Sequence, residues 1–193
     1  KNTKEGRAIV ERCALAAKAR MSAKKARELT KRKSILETSG LPGKLADCSS
    51  TDPSESELFI VEGDSAAGPA KQARDSKTQA ILPIRGKIIN VQKVTENRAL
   101  QNEEISSLIK AIGTGINTEY KGEESRYDKI ILLTDADVDG AHIRTLLLTF
   151  FFKFMPGLIK EGKVWISEPP LYRAKSSGSI NYLKDDEDLE AFK

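Results

Sequence analysis

Four short apolar runs, separated by helix-forming stretches, constrain the fold of this chain more than any other feature. They are Glu57 to Glu62 (ELFIVE), Ala80 to Ile84 (AILPI), Lys129 to Leu133 (KIILL) and Val164 to Ile166 (VWI). Compact runs with little polar alternation suit strands buried on both faces. Between them the pattern predicts helices over Ser65 to Arg74, Glu103 to Ile112 and Ala141 to Phe154. The second of these carries Leu108, Ile109 and Ile112 on one face and ends at Gly113. Strand alternating with helix predicts an α/β fold, a parallel sheet with helices on both faces and right-handed crossovers. Pro83 weakens the second strand, and Gly68 and Pro69 suit a helix only near its start. Leu171 to Lys175 and Ile180 to Leu183 predict a hairpin, and the acids from Asp185 suit the start of a closing helix.

The 193 residues fit one domain with an appendage. No apolar run approaches the ~20 residues of a spanning helix, so no membrane is expected. Two cysteines, Cys13 and Cys48, make neither a disulfide framework nor a zinc site, which points to a reduced, cytoplasmic protein. The chain opens Lys1-Asn2 with no initiator Met, as a fragment of a longer protein would. The net charge of +4 hides an asymmetry: residues 1–35 carry +9 and the remainder −5. The basic part is rich in alanine and predicts a helix, broken at Ser39 to Gly43. It reads either as a solvated linker or as a cationic arm near nucleic acid.

Two of the strands end in acid. ELFIVE closes on Glu62, with Asp64 two residues on, and KIILL runs into Asp135, Asp137 and Asp139. If that segment is extended, the three aspartates project to one side. Two carboxylates ~4 Å apart repel by about 4 kcal/mol at an effective dielectric near 20, and a divalent cation removes that cost. Hard oxygen donors without His or Cys suit Mg²⁺, Mn²⁺ or Ca²⁺. A helix N-cap at Asp139 accounts for one acid of the run and not for three.

Other readings of these motifs fail on spacing. An EF-hand loop starting at Asp135 needs Glu where Leu146 stands, and a strand precedes it instead of a helix. Aspartate-based phosphatases want Thr or Val at the position of Asp139. Gly63 to Gly68 is spaced like a phosphate-binding loop, but Pro69 and Ala70 replace its Lys and Ser/Thr. His142 is the only histidine and cannot supply a triad by itself. Arg85 and Lys87 flank Gly86 after the second strand, a pattern able to approach phosphate. Beside the acids, they suggest metal-assisted chemistry on a nucleic-acid phosphodiester.

Taken together, Leu41 to Cys48 (LPGKLADC), Val61 to Ala66 (VEGDSA), Ala80 to Val91 (AILPIRGKIINV), Thr134 to Phe150 (TDADVDGAHIRTLLLTF) and Pro169 to Tyr172 (PPLY) carry a resemblance. The chain resembles the TOPRIM domain of bacterial type IIA topoisomerase B subunits. Within that family the gyrase branch is the nearer match, and the topoisomerase IV branch shares nearly all of these stretches. The resemblance implies that Glu62, Asp135 and Asp137 are catalytic Mg²⁺ ligands, with Asp139 completing the metal set and Mn²⁺ or Ca²⁺ able to substitute. It implies that Arg85 and Lys87 lie beside cleaved double-stranded DNA, and that Asp64 and Arg85 lie near a quinolone pocket. It assigns no role to His142 or Arg144. It implies a partner A subunit that supplies the nucleophilic tyrosine, an A2B2 heterotetramer, and ATP hydrolysis in a domain outside this chain. It further implies a linker over residues 1–40, the metal-binding domain over 41–175 and the start of a tail over 176–193. Ala67, Pro69 and Ala73 depart from the family pattern and are expected to stiffen the loop and first helical turn that follow Glu62. A self-sufficient TOPRIM nuclease or primase-like enzyme, and a noncatalytic scaffold, are the competing expectations.

Overall fold

The computed structural model describes residues 3–31, 41–176 and 178–193. Four parallel strands form the central sheet: β1 (Glu57–Glu62), β2 (Gln79–Ile84), β3 (Lys129–Leu133) and β4 (Val164–Ile166), in the order β2-β1-β3-β4. The α/β class expected from the runs is the one observed. The chain moves outward from β1 to β2, returns past β1 to β3, and moves outward again to β4. The order therefore reverses between β1 and β3, and open parallel sheets bind ligands beyond the carboxyl ends of the strands at such a reversal.

Even-numbered residues of the strands, Leu58, Ile60, Leu82, Ile130 and Leu132, face the larger core. That core is closed by α3 (Glu96–Gln101), α4 (Glu103–Ile112), α5 (Val138–Phe154) and α6 (Pro156–Lys160). Phe150, Phe151 and Phe154 of α5 are fully buried there, with edge-to-face ring contacts among them. α4 ends where expected, on Gly113 in the left-handed conformation. The opposite face is thinner. α2 (Gly63–Ala73) covers it with Ala67 against Val61 and Ile81, and Phe59 and Leu133 stay half-buried.

Register is pinned at the amino ends of the strands. Glu57 lies opposite both Gln79 and Lys129, accepts from Gln79 Nε2 at 3.0 Å, and pairs with Lys129 Nζ at 3.1 Å. The free edge of β2 is held by a strap over residues 41–52. Ala46 exchanges both backbone hydrogen bonds with Ile81 at 2.9 Å, Lys44 pairs with Glu104 of α4, and Asp47 receives the Tyr127 hydroxyl at 2.7 Å and pairs with Arg126. Ile81 turns its N–H toward the strap, and Pro83, two residues on, faces the same outer side. Its missing N–H costs the sheet nothing there.

Several expectations are corrected. α2 begins at Gly63, so Pro69 sits in its interior and Ala67 in mid-helix rather than in the first turn. α5 begins at Val138, three residues earlier than the apolar pattern suggests, and its N-cap is Asp137 instead of Asp139. α3 and α6 have no counterpart in the sequence reading. The hairpin is present as β5 (Tyr172–Ser176) and β6 (Ser179–Leu183), followed by α7 (Asp186–Phe192) capped by Asp185. α1 (Thr3–Lys31) is helical as expected, and residues 6–21 are exposed throughout. The predicted break at 39–43 falls partly outside the described residues. Among the described residues, no helix is long and apolar enough to cross a membrane.

Candidate metal centre and phosphate shoulder

Glu62 is the last residue of β1 and directly precedes α2; Asp135 stands two residues beyond the end of β3. Because Val61 is in register with Leu133, both acids emerge at the reversal point of the sheet. The backbone N–H of Asp135 donates to the Glu62 carboxylate. The Oε2 of Glu62 is shielded from solvent and has no hydrogen-bond partner among the described residues. Desolvation, together with the negative charges of Asp135, Asp137 and Asp139, raises the Glu62 pKa above its ordinary value, although the Asp135 N–H opposes the shift. The structure thus sets three of the predicted acids, Asp135, Asp137 and Asp139, within electrostatic reach of the fourth, the half-buried Glu62.

The aspartates do not line up as an extended strand would place them. Asp137 is extended, but its Oδ1 accepts the Gly140 N–H at 2.7 Å and caps α5. Asp139 is already inside the helix, and its Oδ1 pairs with Lys87 Nζ at 2.7 Å. That contact, first as a hydrogen bond and then as a charge, holds the Asp139 carboxyl below the usual range, with His142 adding a smaller positive influence. Gly140 makes the tight entry possible: a Cβ there would stand 2.2 Å from the carbonyl oxygen of Asp135. As placed, no three His, Cys, Asp or Glu side chains among the described residues converge closely enough to hold a metal ion. Two of the carboxylates are engaged elsewhere, one on the helix and one on Lys87.

The two predicted phosphate-binding cations complete the surface. Gly86, at φ +65°, turns the chain left-handed between Arg85 and Lys87. Arg85 Nε reaches Asp64 Oδ2 of α2 at 2.9 Å, and Lys87 reaches across to α5. Arg85, Lys87, Asp64, Asp135, Asp137 and Asp139 are all exposed. The donors fit a hard divalent cation: an unpartnered shielded Glu62 oxygen stands among three aspartates, with no nitrogen or sulfur ligand in the set. His142 is exposed on α5 and Arg144 is half-buried there, two residues further on. The sequence reading missed the work of Gly140, for which the glycine closing the aspartate run was the available signal. It also missed the Asp47–Arg126–Tyr127 clamp, since nothing in the sequence links residues some eighty positions apart.

A parallel sheet with acids at the carboxyl ends of β1 and β3, where its strand order reverses, defines an α/β domain of the open-sheet class. The Toprim domain family model matches residues 57–169, and the chain belongs to that family. It is 60% identical over 186 residues to the type 2 topoisomerase B subunit of Aquifex aeolicus, covering 96% of this chain and 24% of that relative. It is 57% identical over 192 residues to the DNA gyrase B subunit of Staphylococcus epidermidis, covering 100% of this chain and 30% of the relative. Identity to the DNA gyrase B subunit of Caulobacter vibrioides is 57% over 189 residues, or 97% and 24% of the two chains. The chain therefore spans 24–30% of the length of these curated relatives.

Proposed function

We propose that this chain is the Mg²⁺-binding part of a type IIA topoisomerase B subunit of the gyrase branch, supporting double-strand DNA cleavage and religation by a tyrosine of an A subunit. The observation that carries the reading is the shielded, unpartnered Glu62 oxygen among three aspartates, flanked by Arg85 and Lys87. High identity to gyrase B subunits along nearly the whole chain supports it. Glu62, Asp135 and Asp137 would hold the metal, and Asp139 would complete the set. Bound there, Mg²⁺ would supply a Lewis acid that stabilises the leaving oxygen and the charge on the transferred phosphoryl group. Arg85 and Lys87 hold the DNA backbone in register, and the rigid ends of β1 and β3 fix the acids against it. Asp64 and Arg85 form one side of a drug-binding shoulder. Residues 1–40 serve as the linker, 41–175 as the metal-binding domain and 176–193 as the start of the tail. The assembly is a cytoplasmic A2B2 heterotetramer, with ATP hydrolysed outside this chain.

The test is covalent cleavage by the full-length B subunit mixed with its A subunit, linear DNA and Mg²⁺. Protein-linked, religatable breaks that require the A subunit and vanish in Glu62→Ala and Asp135→Ala are the expected result. Breaks formed without the A subunit would transfer the chain to the nuclease class, and breaks unaffected by either substitution would remove the metal role from these acids.

A further inference from the structure

Lys87 and Asp139 come from different elements, the turn after β2 and the first turn of α5, and meet at 2.7 Å. Both side chains are at least half exposed, at 50% and 66%. Ion pairs that open to water contribute little stability and are readily traded for other counter-ions. The ends of this pair face different chemistries. Asp139 belongs to the carboxylates whose charges crowd Glu62, and Lys87 stands beside Arg85 on the shoulder. Arg85 is engaged differently, with Asp64 of α2, so the two cations of one turn are tied to two separate elements.

Resting on the metal and DNA reading above, we propose that Lys87 and Asp139 form an exchangeable pair that couples divalent-cation binding to duplex binding. A cation taken up by the carboxylates draws Asp139 from Lys87, and the released ammonium takes a DNA phosphate. No covalent bond breaks and no proton moves; two ion pairs exchange partners. Lys87 is thus a positioning residue. Without a cation it keeps Asp139 from converging on Glu62, and with one it holds the duplex. Linkage makes the effect reciprocal: whatever factor the cation adds to duplex affinity, the duplex adds to cation affinity.

The test uses this chain, titrated with Mn²⁺ by electron paramagnetic resonance and with a short fluorescent duplex by anisotropy, with and without Ca²⁺. Ca²⁺ tightens duplex binding, and the duplex tightens cation binding, each by about fivefold, the upper end of what an exposed ion pair supplies. Lys87→Gln tightens Mn²⁺ binding in the absence of DNA by a similar factor, because the competitor for Asp139 is gone, and it abolishes the Ca²⁺ enhancement. Arg85→Gln removes the same charge from the same turn without touching Asp139 and gives the smaller change in Mn²⁺ affinity. Lys87→Arg restores the coupling, and Asp139→Asn tightens duplex binding in the absence of a cation. Unchanged or weakened Mn²⁺ binding in Lys87→Gln, an effect no larger than that of Arg85→Gln, or enhancement that survives in Asp139→Asn overturns the coupling. A chain that binds no Mn²⁺, or binds it equally after Glu62→Gln, instead overturns the metal reading beneath it. The cation measurements decide the metal reading without the duplex, and the duplex titrations decide the coupling.

Discussion

Glu62 carries a conflict between folding and function. Its pKa is raised by desolvation and by three neighbouring aspartates. A carboxyl group raised in the folded state contributes stability that is fully present below its unfolded pKa and lost as pH rises through its folded one. The metal-free chain is therefore expected to lose thermal stability as pH climbs from the ordinary glutamate range through the raised value of Glu62. Glu62→Gln flattens that fall and raises the melting temperature at neutral pH. It also removes the stabilisation that Mn²⁺ gives the unsubstituted chain, since a ligand that binds only the folded state stabilises it. Thermal melts of both chains across pH, with and without Mn²⁺, measure the two effects together. Asp139 behaves oppositely: Lys87 lowers its pKa, so its contribution is present above its unfolded pKa and fades as pH falls through the lowered one.

At the scale of elements, two helix starts set the geometry of the centre. A methyl group at position 140 would meet the Asp135 backbone at 2.2 Å, and backbone cannot swing aside as a side chain can. Gly140→Ala is expected to cost about 1–3 kcal/mol in urea unfolding and to weaken Mn²⁺ binding by displacing Asp135 from Glu62. Pro69 lies inside α2, where it lacks the N–H that would bond the Ser65 carbonyl. Pro69→Ala is expected to stabilise the chain by about 1–3 kcal/mol, since proline in a helix interior costs about 3 kcal/mol relative to alanine. Little of this is visible in sequence beyond the elements themselves. β1, β3 and α4 follow from apolar runs and a terminal glycine, because burial leaves a compact signature; β4 has the same apolar run, but it is an edge strand whose Trp165 and Ile166 are exposed, not a strand buried on both faces. α3 is too short for a periodic stripe, and its N-cap, Thr95, whose hydroxyl oxygen accepts the Arg98 N–H at 3.4 Å, is a weak signal by itself. The four acids were legible as a group, since each follows a buried run. Which one caps the helix and which one meets Lys87 depends on a tertiary crossing between α5 and the turn after β2, and no local pattern encodes it.

Over the whole molecule, the strap and the basic helix have opposite relations to the core. The strap is fastened at Ile81, Glu104 and Tyr127, whose ring is buried. Asp47→Ala leaves the Tyr127 hydroxyl without its acceptor and is expected to cost about 1–3 kcal/mol, measured by urea unfolding. In α1, by contrast, residues 6–21 are exposed throughout. Removal of residues 1–21, which leaves the end of α1 that packs on α3 and α4 in place, is therefore expected to leave the melting temperature nearly unchanged. Since residues 1–35 carry +9 against −5 for the rest, the same removal weakens duplex binding and flattens its dependence on salt, which anisotropy over a salt series measures.

The cleft of about 550 Å³ lined by Tyr120, Lys121, Gly122, Glu123, Glu161 and Lys163 lies at the amino end of the sheet, away from the acids. The acids themselves stand on an outward shelf, where even the apolar Val138 is 86% exposed. A shelf without walls cannot exclude water or enclose a small molecule. It behaves as one jaw of a vice, and the opposing jaw has to be brought by something as broad and stiff as itself. In a machine of the proposed kind, whose task is to cut a chromosome and give it back whole, a domain made this way is expected to cut nothing while it is alone.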